Sequence, residues 1–183
     1  NGSAEIYGEM MKSMDSGIGR VLQALRDQNL DRNTFVIFTS DNGGERYSNM
    51  WPFAFQKLNL WEGGIRVPAV IRWPGHLPRG KVSPQVGITM DLHASILAAT
   101  GTPAPASPRL EGLDLFPILA GRSAVVERTL FWRLNAPARQ QRAVRSGDWK
   151  VVLDGVSVLI FDLRTDAGER HEQHLARLML QQR

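Results

Sequence analysis

The sequence predicts an α/β protein, with a mixed helix-and-strand layer over residues 1–105 followed by a small antiparallel sheet and a C-terminal helix over 106–183. Three observations predict it. An amphipathic helical period opens the chain and is followed by a continuous β-prone run. A helical stretch near residue 95 ends at glycine and proline. Beyond residue 125, short β-prone segments follow one another across two-residue turns.

The elements follow in order. Over residues 4–28, Tyr7, Met10, Met14, Ile18, Val21, Leu22 and Leu25 recur at helical spacing while Glu5, Glu9, Lys12 and Asp27 fall elsewhere. Gly17 and Gly19 interrupt this helix, and we expect them to allow close approach of a neighbouring element. A polar turn at 29–33 leads into Thr-Phe-Val-Ile-Phe-Thr at 34–39, a pattern typical of a strand buried on both faces. A second strand is expected at 69–73, ended by Pro74-Gly75, and a helix at 91–100, stopped by Gly101 and Pro103. Residues 102–109 carry three prolines and read as a linker or surface loop. Strands are expected at 129–134, 142–146, 149–153 and 157–163, joined by turns such as Ser146-Gly147-Asp148 and Asp154-Gly155 as an antiparallel meander. A terminal helix over 167–182 should close and cover it.

Composition narrows the function classes. With 43% hydrophobic and 22% charged residues among 183, the chain has the make-up of a globular protein able to bury a core. It contains no run of roughly 18 apolar residues, so no membrane span is expected. The absence of an initiator Met and of a basic-then-apolar leader, with a helix starting almost at once, suggests a portion of a longer protein. There are no cysteines, which excludes disulfides, thiolate metal sites and a cysteine nucleophile. The net charge of +4 is spread along the sequence, without the clustered basic face of a nucleic-acid binder.

Two stretches bear chemistry. Ser40-Asp41-Asn42-Gly43-Gly44 follows the end of the first strand, where open α/β sheets place ligands. Asp41 and Asn42 offer hard oxygen donors suited to Ca²⁺ or Mg²⁺, although the same residues also make an ordinary turn. Two ligands are also too few for calcium, which takes six or more oxygens. The second stretch, at 57–68, runs Lys57-x-x-x-x-Glu62-Gly63-Gly64-x-Arg66-Val67-Pro68. A lysine ammonium suits a tetrahedral anion such as sulfate, while a solvated lysine before a turn braced by a Glu–Arg pair is the plain alternative.

Taken together, Thr-Ser-Asp-Asn-Gly-Gly, Lys-x-x-x-x-Glu-Gly-Gly-x-Arg-Val-Pro and Ile-Arg-Trp-Pro-Gly resemble the sulfatase family of the alkaline-phosphatase superfamily. The resemblance extends through Met14-Asp15-x-x-x-Gly19-Arg20, Met90-Asp91-Leu92 and Leu110-Glu111-Gly112-x-Asp114-Leu115. It continues in Gly147-Asp148-Trp149-Lys150 and in Phe161-Asp162-Leu163-x-x-Asp166-x-x-Glu169. It implies a partial alkaline-phosphatase-like α/β layer, with Asp41 and Asn42 as the second pair of ligands to one divalent cation, usually calcium. Lys57 then matches the lysine that contacts the substrate's sulfate and has a catalytic role, while Glu62, Arg66 and Asp15 match structural positions.

The family's first pair of aspartates is missing from the sequence, as is the Cys/Ser-x-Pro-Ser-Arg signature whose first residue becomes formylglycine. Ser107-Pro108-Arg109 lacks the rest of that signature. The resemblance therefore implies a sulfatase acting on an aryl or sugar sulfate, of which this portion alone is inactive and self-associates through exposed strand edges. The rival enzymatic reading is a phosphodiesterase or phosphonate hydrolase of the same superfamily. Those enzymes resemble this chain but often show Asp-His-Gly where Asp41-Asn42-Gly43 stands, and an amide in place of imidazole favours calcium or magnesium. A non-catalytic structural module is the third reading. Trp51, Phe53 and Phe55 suit either stacking on a substrate ring or packing in a core. His171-Glu172-Gln173-His174 is one residue short of a zinc-protease spacing and reads as a solvated helix face.

Overall fold

The computed structural model describes residues 2–107, 109–137 and 139–173. They divide into two compact units, each built from separated stretches of chain. One holds the described residues of Asn1–Phe38 and Val70–Val126, the other those of Thr39–Ala69 and Glu127–Arg183.

The first unit begins with helix α1, Ala4–Asp27. Ser3 caps it, its hydroxyl accepting the Ile6 amide at 3.2 Å, with Glu5 in the first turn and Arg26 in the last to complement the helix dipole. No residue of α1 is buried, and Met10 and Val21 lie open at 64% and 61% exposure. The close approach expected at the helical glycines is absent among the described residues. A Cβ at Gly19 would meet nothing within 4 Å, and at Gly17 only the flexible end of Arg20.

Strand β1, Val36–Thr39, pairs with β2, Ala69–Arg72, in a two-stranded sheet. The expectation of a strand buried on both faces is corrected here. β1 is half-exposed, with Phe38 at 40%, because an apolar strand is buried on both faces only where other elements pack over both. Beyond β2 and before β1, Trp73 and Phe35 meet Phe116 with ring centroids 5.1 and 4.6 Å apart, in edge-on geometry. Phe116 opens a short helix the sequence did not reveal, Phe116–Leu119. The longer helix of this unit, Thr89–Thr100, ends at Gly101 in the left-handed conformation (φ 64°), as the Gly-x-Pro stop signal predicts. Its Asp91 is fully buried. One carboxylate oxygen accepts the Ile88 amide at 2.7 Å and the other the Leu113 amide at 2.8 Å, and Gly112 passes so close to Met90 that a Cβ there would lie 2.1 Å from the Met90 carbonyl oxygen. These contacts join the Met-Asp-Leu and Glu-Gly-x-Asp motifs and give both a packing role.

The second unit is built on a four-stranded antiparallel sheet of consecutive strands: β3 Thr129–Ala136, β4 Arg139–Ser146, β5 Trp149–Asp154 and β6 Ser157–Asp162. Register follows the side-chain alternation. Trp132 pairs with Ala143, Ala143 with Val152 and Val152 with Leu159, laying one inward row across the sheet. Gly147 and Gly155 turn the hairpins at φ 56° and 60°, a left-handed conformation most readily adopted by glycine. The inward row packs on Leu60, Trp61, Phe161 and Leu163 as the core of this unit. Each such side chain is worth about 1.5–3 kcal/mol when withdrawn from water.

The expected terminal helix begins at residue 167, yet residues 167–173 are turn and coil, while 174–182 lie outside the described residues. Local hydrogen bonding explains the difference. The Asp166 carboxylate accepts the amides of Arg170 at 2.8 Å and His171 at 2.8 Å, which a helix would commit to carbonyls, and Glu169 adopts φ 52°.

Candidate functional site

Asp41 and Asn42 stand immediately beyond the end of β1 at Thr39. The Ser40 hydroxyl donates to the Asn42 carbonyl at 2.8 Å and turns the chain sharply after the strand. Asp41 is exposed and Asn42 half-buried. Among the described residues neither side chain has a hydrogen-bond or ion-pair partner, so their oxygens are uncommitted. Gly43 is buried, and its amide donates to the Gly64 carbonyl at 2.9 Å. A Cβ at Gly43 would sit 1.8 Å from the Gly63 carbonyl oxygen. Gly43→Ala should therefore push two backbones apart and destabilise the second unit by about 1–3 kcal/mol or more, measurable as a lowered urea midpoint. An unchanged midpoint would contradict this packing.

The loop bearing Lys57 is fastened to the same place. The Lys57 amide donates to the Gly44 carbonyl at 2.8 Å, and the Gly44 amide meets the Met50 sulfur at 2.9 Å. The Lys57 ammonium is exposed and pairs with Glu45 at 3.6 Å. The structure thus places Asp41, Asn42 and Lys57 on adjoining loops tied through Gly43 and Gly44. Among the described residues no three His, Cys, Asp or Glu side chains come together to hold a metal. Asp41 and Asn42 are a pair of hard oxygen donors suited to calcium by type, and fewer than a full cage requires. Of the three loop aromatics, Trp51 is 76% exposed, whereas Phe53 lies under the Arg66 guanidinium at 4.8 Å and Phe55 packs on Trp61 at 4.8 Å.

Behind these loops lies a buried ionic cluster whose centre, Lys150, has no role in the sequence reading. Lys150 is fully buried and its ammonium bridges Glu62 at 2.9 Å and Glu169 at 2.8 Å. The second Glu169 oxygen accepts the Glu62 amide at 2.5 Å, and Arg66 and Arg145 lie 3.4 and 3.9 Å from the second Glu62 oxygen. Burial pushes the Glu169 carboxyl above the ordinary carboxylate range, against the opposing pull of Lys150. Glu62 is thus held inside a buried ionic cluster, with Arg66 on its outer oxygen. The available signal for Lys150 was strand alternation. It stands two residues from Val152 in an apolar strand and so shares its inward face.

A family model for sulfatases matches residues 2–102. N-acetylgalactosamine-6-sulfatase of Sus scrofa is 41% identical over 133 residues, covering 69% of this chain and 25% of the relative. Human arylsulfatase A is 34% identical over 151 residues, covering 79% of this chain and 29% of the relative. The crystal structure of Ps i-CgsB in complex with k-i-k-neocarrahexaose superposes with a TM-score of 0.89 at 26% identity, across 98% of this chain and 41% of that one. The chain spans about a quarter of the length of the first of these curated relatives. Since the family model covers more than half of its residues, the chain belongs to the sulfatase family.

Proposed function

We propose that the full-length protein hydrolyses a sulfate ester of a sugar or an aryl alcohol, and that this chain supplies one side of the site. Asp41 and Asn42 serve as ligands to a single divalent cation, calcium, and Lys57 contacts the sulfate group. The observation that carries the proposal is the 2.8 Å hydrogen bond from the Lys57 amide to the Gly44 carbonyl, which ties the lysine's loop to the chain two residues beyond Asn42. The names of the relatives, and the carbohydrate held by Ps i-CgsB, support the substrate class.

A bound calcium ion would supply positive charge opposite the sulfuryl oxygens. Asp41 offers it a carboxylate and Asn42 an amide oxygen, both free of competing partners among the described residues. Lys57 presents three N–H donors on a flexible stem and can follow the charge of a tetrahedral anion. Glu45 holds that ammonium at 3.6 Å, so an arriving sulfate exchanges one anionic partner for another. The nucleophile, a formylglycine, and the first aspartate pair are assigned to sequence outside this chain, which by itself is inactive. In this reading residues 1–105 belong to the α/β catalytic domain and 106–183 form a C-terminal subdomain.

Lys57→Ala in the full-length enzyme should lower kcat about 10²-fold and weaken substrate binding, because the ammonium faces charge that shifts in the transition state. Steady-state kinetics on a sulfate ester test this, and an unchanged kcat would remove Lys57 from the mechanism. The isolated chain should self-associate through its exposed apolar side chains, Met10, Val21 and Trp51 among them. Sedimentation showing monomer alone at high concentration would count against that.

A further inference from the structure

The Glu62-Gly63-Gly64 turn is the seat of both candidate site loops. It accepts the Gly43 amide at the Gly64 carbonyl, 2.9 Å away, and the Gly63 amide donates to the Ala54 carbonyl at 2.9 Å, three residues before Lys57. Its glycines allow backbone to touch backbone. A Cβ on Gly63 would lie 2.2 Å from the Phe55 carbonyl oxygen, and one on Gly64 would lie 2.1 Å from that of Asn59. A shift of this turn must therefore move the residues on both sides of it. What holds the turn is not local. Glu62 at its head is gripped by Lys150, 88 positions away in sequence, while Glu169 takes the Glu62 amide.

We propose that Lys150 is a positioning residue of the sulfate-ester reaction. From strand β5 it clamps Glu62 and Glu169, and through the Glu-Gly-Gly turn it sets the Asp41-Asn42 loop and the Lys57 loop relative to each other. The proposal rests on the site reading above. Lys150 itself has no exposed surface, so it reaches neither substrate nor cation and acts through the turn alone. A buried pair replaced by apolar or neutral groups of similar volume commonly keeps the fold, which separates positioning from folding. Supporting partners behind a metal ligand typically affect affinity or activity by about 10–100-fold.

The test uses the full-length enzyme with the triple substitution Glu62→Gln, Lys150→Met, Glu169→Gln, which retains side-chain volume and removes the three clamped charges together, while Arg145 keeps its hydrogen bond to the Gly147 carbonyl at 2.9 Å. The expected result is a folded protein in which amide exchange over residues 40–45 and 55–60 accelerates relative to β5. The calcium concentration for half-saturation should rise, and kcat should fall by about 10–100-fold with a smaller change in KM. Glu169→Gln alone, which keeps the Lys150–Glu62 pair, should move the same readouts in the same direction by about tenfold or less. It decides the matter if the triple variant does not fold. Wild-type exchange, calcium dependence and kcat in the folded triple variant, or in Glu169→Gln where that variant stands alone, would overturn the proposal. Asp41→Asn is made in parallel. If it loses calcium dependence and activity while the clamp variants behave as wild type, only the positioning role is overturned. If Asp41→Asn is itself indistinguishable from wild type, the site reading fails and takes this proposal with it.

Discussion

Lys150→Met should destabilise the protein by about 3–5 kcal/mol at neutral pH, the cost of removing one partner from a buried ion pair. The substitution leaves the Glu62 and Glu169 carboxylates buried within reach of each other, with Arg66 and Arg145, at 3.4 and 3.9 Å from Glu62, to balance them among the described residues. The loss depends on pH in a defined sense. The folded-state Glu169 carboxyl is already raised by burial and opposed by Lys150, so removing the ammonium raises it further. A group with a raised folded pKa holds its proton in the folded state while the unfolded chain has released it. Its contribution to stability is therefore full below the unfolded value and is lost as pH rises through the folded one. The gap between wild type and Lys150→Met should be widest on the alkaline side and narrow as pH falls and Glu169 takes up a proton. Urea denaturation across a pH series measures this. A gap that is constant, or that widens in acid, would show that the buried charge is balanced by other means.

In the full-length enzyme, Asp41→Ala or Asn42→Ala should lower kcat by on the order of 10³-fold, the upper end for removal of one preorganised stabilising group. The fold should be little affected, because Asp41 is exposed and neither side chain has a partner among the described residues. The isolated chain is expected to show no micromolar calcium binding by calorimetry, since one carboxylate and one amide fill few of the six to eight positions calcium requires. Micromolar binding lost in Asp41→Ala would mean that the chain's own site is far more complete. Full activity in the Asp41→Ala enzyme would show that the loop after β1 is only a turn.

Local rules made much of the molecule legible. The helical apolar period over 4–28 predicts α1, which runs Ala4–Asp27, and the structure adds the Ser3 cap. Gly101 and Pro103 predict the end of the 89–100 helix, and the Gly147 and Gly155 turns predict hairpins whose register leaves Ala143 and Val152 facing inward. Each signal is contained within a few residues, so no distant partner was needed to read it. The Asp-Asn-Gly-Gly and Lys-x-x-x-x-Glu-Gly-Gly patterns were likewise sufficient to name the family and the candidate residues Asp41, Asn42 and Lys57.

Tertiary structure decided what depended on partners far along the chain. Residues 167–173 carry helix-compatible spacing, but Asp166 takes two of their amides locally, and Lys150, from strand β5, draws Glu169 inward. Burial of β1 could not be read from its apolar run, because burial depends on what packs over the two faces of its sheet and not on the run itself. Lys150 is the clearest case. In sequence it closes the Gly147-Asp148-Trp149-Lys150 motif with no partner in view, and only the fold brings it to Glu62 and Glu169. A buried charge is stable only where its counter-charges are already in place. The residue types and their order were sufficient for the family, for α1, for the 89–100 helix and for the hairpins, while the position of the buried ions was settled by long-range packing.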